Sequence, residues 1–222
     1  MMDREYSRSH SSLSALEGPL LLSRVCFLTI CAVLFTMVGA ALTWSVDLGI
    51  WRLVGFVGTL VMLFVCKAVA RRFPLNLAAL ALFALMEGAL IGPIVSMYAK
   101  LNGPLIVAQA ATISVALFAM VGTLGYTSTR SYAHWVPWLM GGLFLLIIGA
   151  IVMWFVTTSP MIHWLYSVGG AVLFTVFIFV DFTRIRHNYS AQDYIQATIE
   201  VYLDLINLFL FVLRLLGGSR RG

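Results

Sequence analysis

Charge is scarce in this sequence. Asp, Glu, Lys and Arg make up 10% of the 222 residues, against about 25% in an ordinary soluble domain, and 61% are hydrophobic. A water-soluble fold has too little interior to hide so much apolar surface, which excludes a soluble globular enzyme or binding module. Cysteine is equally sparse. Cys26, Cys31 and Cys66 all fall inside apolar runs without paired ligand spacing, so neither a disulfide framework nor a thiolate metal site is expected. His10, His134, His163 and His187 are scattered over separate loops or ends, and no HExxH, GxSxG or P-loop occurs. No nucleophile stands with a base, so the chain is read as a non-enzyme without a cofactor. The last apolar run has no lysine, which excludes a retinal Schiff base.

Long hydrophobic runs are what the sequence does contain. They lie at about 23–45, 51–69, 77–98, 105–126, 135–156, 163–183 and 197–216. Crossing a bilayer core takes about 20 apolar residues as a helix, so the length accommodates seven spans and little else. The expected architecture is an all-α integral membrane protein: a polar tail over 1–21, a seven-helix transmembrane domain over 22–217, and a short basic tail over 218–222. The first run is too long for a signal-peptide core and should remain as an anchor. Five of the six prolines sit near run ends, whereas Pro93 falls inside the third run and predicts a bend there.

The net charge of +5 does not indicate nucleic acid, because the basic residues stand at the edges of apolar runs. Nine of them (Arg4, Arg8, Arg24, Lys67, Arg71, Arg72, Arg130, Arg184 and Arg186) flank the N-terminal side and the even-numbered loops, and two, Arg52 and Lys100, flank the others. That bias places the N-terminus in the cytoplasm. Arg214, Arg220 and Arg221 run against it if the seventh run crosses fully.

An acid inside a membrane segment costs at least about 2.5 kcal/mol, so it faces the protein interior and has a partner or a function. Asp181 lies near one end of the sixth run, Asp204 in the seventh and Glu87 in the middle of the third. The sixth and seventh runs are joined by a short loop, so Asp181 and Asp204 sit at similar depth and can meet. Two carboxyls at hydrogen-bond distance resist ionising together and share a proton, and loss of that proton pushes the helices apart or recruits a cation, which makes the pair a candidate pH-dependent latch. The alternative is simple charge pairing, Asp181 with Arg184 and Asp204 with Lys67 or Arg71. Glu200, Asp204, Asn207 and Arg214 are spaced by 4, 3 and 7 residues and form one helical stripe, a candidate polar seam or pore lining together with Glu87.

Three stretches resemble the Bax inhibitor-1 family: Val201-Tyr202-Leu203-Asp204-Leu205-Ile206-Asn207-Leu208-Phe209-Leu210 with Leu213-Arg214-Leu215-Leu216-Gly217, then Phe179-Val180-Asp181-Phe182-Thr183-Arg184-Ile185, and Glu87-Gly88 through Pro93-Ile94. The resemblance covers about residues 20–217. It implies six helices around a central seventh and a pH-sensitive calcium leak in which Asp181 and Asp204 are the sensor pair, with a basic residue of the second helix as their alternative partner. An ungapped alignment puts Ala70 where relatives carry that basic residue, leaving Lys67 or Arg71 to substitute. A bacterial inner membrane is the expected location. Bacterial relatives are also associated with a membrane-anchored ATP-dependent protease, so the second reading is a binding protein that modulates such a protease and transports nothing.

Overall fold

A computed structural model describes residues 2–46, 51–156 and 159–218, with side chains placed outside 1–17, 47–53, 154, 157–158 and 219–222. Among the described residues seven α-helices follow one another: α1 Met2–Leu42, α2 Trp51–Val69, α3 Leu75–Asn102, α4 Leu105–Thr127, α5 Val136–Phe155, α6 Pro160–His187 and α7 Tyr194–Gly218. Single 3₁₀ turns at Ala133–Trp135 and Ala191–Asp193 lead into α5 and α7. No strand occurs among the described residues. Each expected run is a helix, most of them longer than the apolar stretch, because helical hydrogen bonding continues into the polar flanks.

The polar segment 1–21 does not end at a structural break, since α1 begins at Met2 and its apolar part at Gly18; Pro19 therefore lies inside a helix rather than at its end. Among the described residues five helices (the Gly18–Leu42 part of α1, α3, α4, α5 with its preceding turn, and α6) are long and apolar enough to cross a membrane. The described part of α2, Val54–Val69, is a shorter apolar helix, and α7 is not among the five. α3 stays helical through Pro93.

Helix α7 is the element the others share. It packs on α6, α4, α1 and α3, and more thinly on α2, while α5 lies outside against α6. The core accordingly has two lobes. Ile178, Val180, Val201, Leu208 and Leu213 fill the α6 side, and Phe83, Ile199, Tyr202 and Ile206 the α2–α3 side. α1 and α3 touch through glycine: a Cβ on Gly39 would lie 2.2 Å from the Leu85 carbonyl oxygen, and one on Gly88 2.1 Å from that of Thr36. Small residues give such backbone approach where lipid offers no hydrophobic drive for helices to associate. The α3–α4 corner turns at Gly103, whose φ of 88° suits glycine, with Pro104 opening the next helix.

Candidate functional site: a carboxyl cluster between α6 and α7

The α6–α7 connection is short and capped. Ser190 and Asp193 form a reciprocal capping box, the Ser190 N–H and hydroxyl both donating to Asp193 Oδ2 (3.1 and 2.7 Å). The Ser190 hydroxyl, then its backbone N–H and Arg71, hold the Asp193 carboxyl below the ordinary range. The tight turn sets the end of α6 beside the start of α7, so acids on the two helices meet.

Asp181 is 3% exposed and Asp204 6%, and the two buried carboxyls interact electrostatically across the α6–α7 contact. Arg184, one turn beyond Asp181, donates from Nη1 to Asp181 Oδ1 at 2.8 Å and to Glu200 Oε2 at 3.0 Å, and from Nη2 to the Tyr189 hydroxyl at 2.6 Å. Tyr189, in the connection, donates its own proton to Glu200 Oε2. Burial pushes that phenol above its usual range and Glu200 adds to the effect, which keeps Tyr189 a donor. Gln196 Nε2 completes the shell by donating to Glu200 Oε1 at 3.2 Å. Asp204 Oδ2 is buried and has no hydrogen-bond partner among the described residues.

The structure thus joins Asp181, Asp204, Arg184 and Glu200 and leaves the other candidates elsewhere. Arg71 makes an exposed 3.5 Å pair with Asp193, and Lys67 is exposed at the end of α2, so neither reaches the aspartates. The basic partner comes from α6 because position 184 lies one turn from Asp181 on the same face. Asn207 donates to the Leu203 carbonyl of its own helix at 2.8 Å. Arg214 stacks over Tyr166 and Phe211, 5.4 and 5.6 Å from the ring centres. The stripe along α7 is therefore a carboxyl cluster at one end and an aromatic-packed cation at the other. Glu87 lies apart on α3, one turn beyond Phe83, whose ring meets Tyr202. Among the described residues no three His, Cys, Asp or Glu side chains converge as a metal site.

Sequence reasoning missed Tyr189 and Gln196, which sit in polar surroundings typical of any loop. It also missed Tyr202 and Thr36, whose hydroxyls lie 2.6 Å apart on the far side of α7. A signal for Thr36 did exist: Thr29, Thr36 and Thr43 recur every seven residues on one face of α1.

A bundle of apolar helices enclosing a buried carboxyl pair beside an arginine defines a class of polytopic membrane protein. Family comparison narrows it, because the family described as inhibitor of apoptosis-promoting Bax1 matches residues 19–221. The chain belongs to this Bax inhibitor-1 family. It is 33% identical to human protein lifeguard 3 over 171 residues (73% of this chain, 53% of the relative). It is 28% identical to Bax inhibitor 1 of Schizosaccharomyces pombe over 178 residues (80% and 65%). An uncharacterized membrane protein of Vibrio cholerae is 28% identical over 214 residues, 96% of this chain and 95% of that one. The chain spans 53% of the human relative and 65% of the yeast one, but nearly all of the bacterial one.

Proposed function

We propose that this protein is a pH-sensitive calcium leak of a bacterial inner membrane, with Asp181 and Asp204 as its sensor pair. In this reading α2 and α7 also cross the membrane and bring the spans to seven, the N-terminus is cytoplasmic, and the α6–α7 connection lies on the cytoplasmic side. The observation that carries the reading is the burial of two carboxyls on adjacent helices, α6 and α7, beside an arginine that is shared with Glu200. While they share a proton, the contact ties α6 to α7. Once the proton leaves, two like charges about 4 Å apart repel by about 4 kcal/mol at an effective dielectric near 20, enough to shift a two-state equilibrium more than ten-fold. Arg184 moderates the repulsion and is shared with Glu200, so it can follow either carboxylate.

Calcium enters as cargo. The unpartnered Asp204 Oδ2 is a buried acceptor with a vacant coordination direction, and two carboxyls supply part of the six to eight oxygens the ion takes, the rest coming from its water. The test is calcium flux into liposomes containing only this protein, read across pH. Asp181→Asn and Asp204→Asn each remove one charge at constant size and flatten the pH response. If both variants keep the wild-type profile, the latch is wrong; if the wild type passes no calcium, the protease-binding reading takes its place.

A further inference from the structure

Helix α7 has a second polar face. Tyr202 and Asp204 are two residues apart, so at about 100° per residue their side chains leave the helix on nearly opposite sides. Asp204 turns to α6. Tyr202, 0% exposed, turns to α1 and α3, where its hydroxyl lies 2.6 Å from Thr36 Oγ1 and its ring meets Phe83 edge-on. Thr36 donates its own proton to the Ala32 carbonyl at 2.9 Å, so Tyr202 is the donor in the pair. Its phenol oxygen keeps lone pairs for a further partner.

The acid beside it is Glu87. It stands one helical turn beyond Phe83, whose ring meets Tyr202, and precedes Gly88, which abuts the Thr36 backbone. It sits twelve residues into α3, about 18 Å from the start of that helix and close to its middle. Glu87 makes no hydrogen bond or ion pair among the described residues, whereas intramembrane acids normally pair. The seam carries a second unmet group. Thr29, 3% exposed on the same face of α1 as Thr36, has a buried hydroxyl without a partner, and buried polar atoms left bare in a protein mark places for water or an ion. Thr43 continues the row two turns on, donating to the Ala89 carbonyl at 3.0 Å.

We propose that Glu87, with the hydroxyl oxygens of Tyr202 and Thr36, is a mid-membrane cation site on the α1–α3–α7 seam, across α7 from the aspartate pair. One carboxyl, two hydroxyls and water form the hard-oxygen donor set that calcium takes. The inference rests on the leak reading and divides the labour within it: the α6–α7 pair sets the pH response, and Glu87 holds the ion in transit.

Two measurements on the full chain in liposomes test it, with calcium as the probe. A hydrophobic carbodiimide reacts with carboxyls in apolar surroundings, and mass spectrometry locates the adduct. Glu87 is expected to be modified in calcium-free vesicles and protected by excess calcium, and to remain so when Asp204 is replaced by Asn. No modification at Glu87, or equal modification with and without calcium, overturns the site. In the flux assay Glu87→Gln should lower the rate at least ten-fold without moving the pH midpoint, and Glu87→Asp should retain part of it; wild-type rates in Glu87→Gln overturn the transit role. If the wild type passes no calcium yet calcium still protects Glu87, the leak reading fails while the site stands. Should Glu87→Gln fail to fold, the protection measured on the unaltered chain decides.

Discussion

The two faces of α7 solve the problem of polar groups in an apolar bundle in different ways. Toward α6 the helix presents Asp204 to a charged network in which one guanidinium is divided between Asp181 and Glu200 and is steadied by Tyr189. Toward α1 and α3 it presents Tyr202 to one neutral hydroxyl, in a contact where backbones nearly touch at Gly39 and Gly88. A divided arginine can shift its bonds when a proton comes or goes. A glycine-packed interface has no such freedom. The α6 face is thus the one built to rearrange its bonds, and the α1–α3 face keeps its backbones fixed around Glu87.

The sharpest way to break this contrast is to remove the shared cation. Arg184→Gln leaves Asp181 and Glu200 without their guanidinium and should cost about 3 kcal/mol, as loss of one partner from a buried pair does; the unfolding midpoint in detergent reads it, and an unchanged midpoint would mean the network is held by its hydrogen-bonded tyrosine instead. On the opposite face Gly88→Val forces side-chain atoms onto the Thr36 backbone, which cannot step aside. It should cost about 2–3 kcal/mol without altering the pH profile of any flux that survives. Tyr202→Phe removes one neutral hydrogen bond while Thr36 keeps its bond to Ala32, so about 1 kcal/mol is expected in the same melt. The smallest effect belongs to Arg71→Gln. Its 3.5 Å pair with Asp193 is exposed, and a change of about 0.3 kcal/mol should be hard to separate from the wild-type melt.

How much of this was legible beforehand differs by residue. Asp181 and Asp204 stood out because a lone acid in an apolar run has few explanations, and the short α6–α7 connection limits how far apart they can be. Arg184 was one of three basic candidates. Spacing alone could not choose it over Lys67 or Arg71, because that depends on how far α2 stands from α7, and α2 packs on α7 only thinly. The stripe through Asn207 and Arg214 follows from helix spacing, which does not say what each position meets. Asn207 satisfies itself on its own backbone, and Arg214 finds aromatic rings instead of acids.

The sequence by itself determined that this protein is a bundle of apolar helices with three acids at membrane depth, because hydrophobic run length and isolated charges are local properties with one economical physical reading. The tertiary structure alone decided which of those acids meet and what each one faces. The α6–α7 turn brings Asp181 to Asp204, and helix packing leaves Glu87 beside Tyr202 across the central helix, since the rotation of α7 and its distances to α3 and α6 come from contacts summed over the whole bundle.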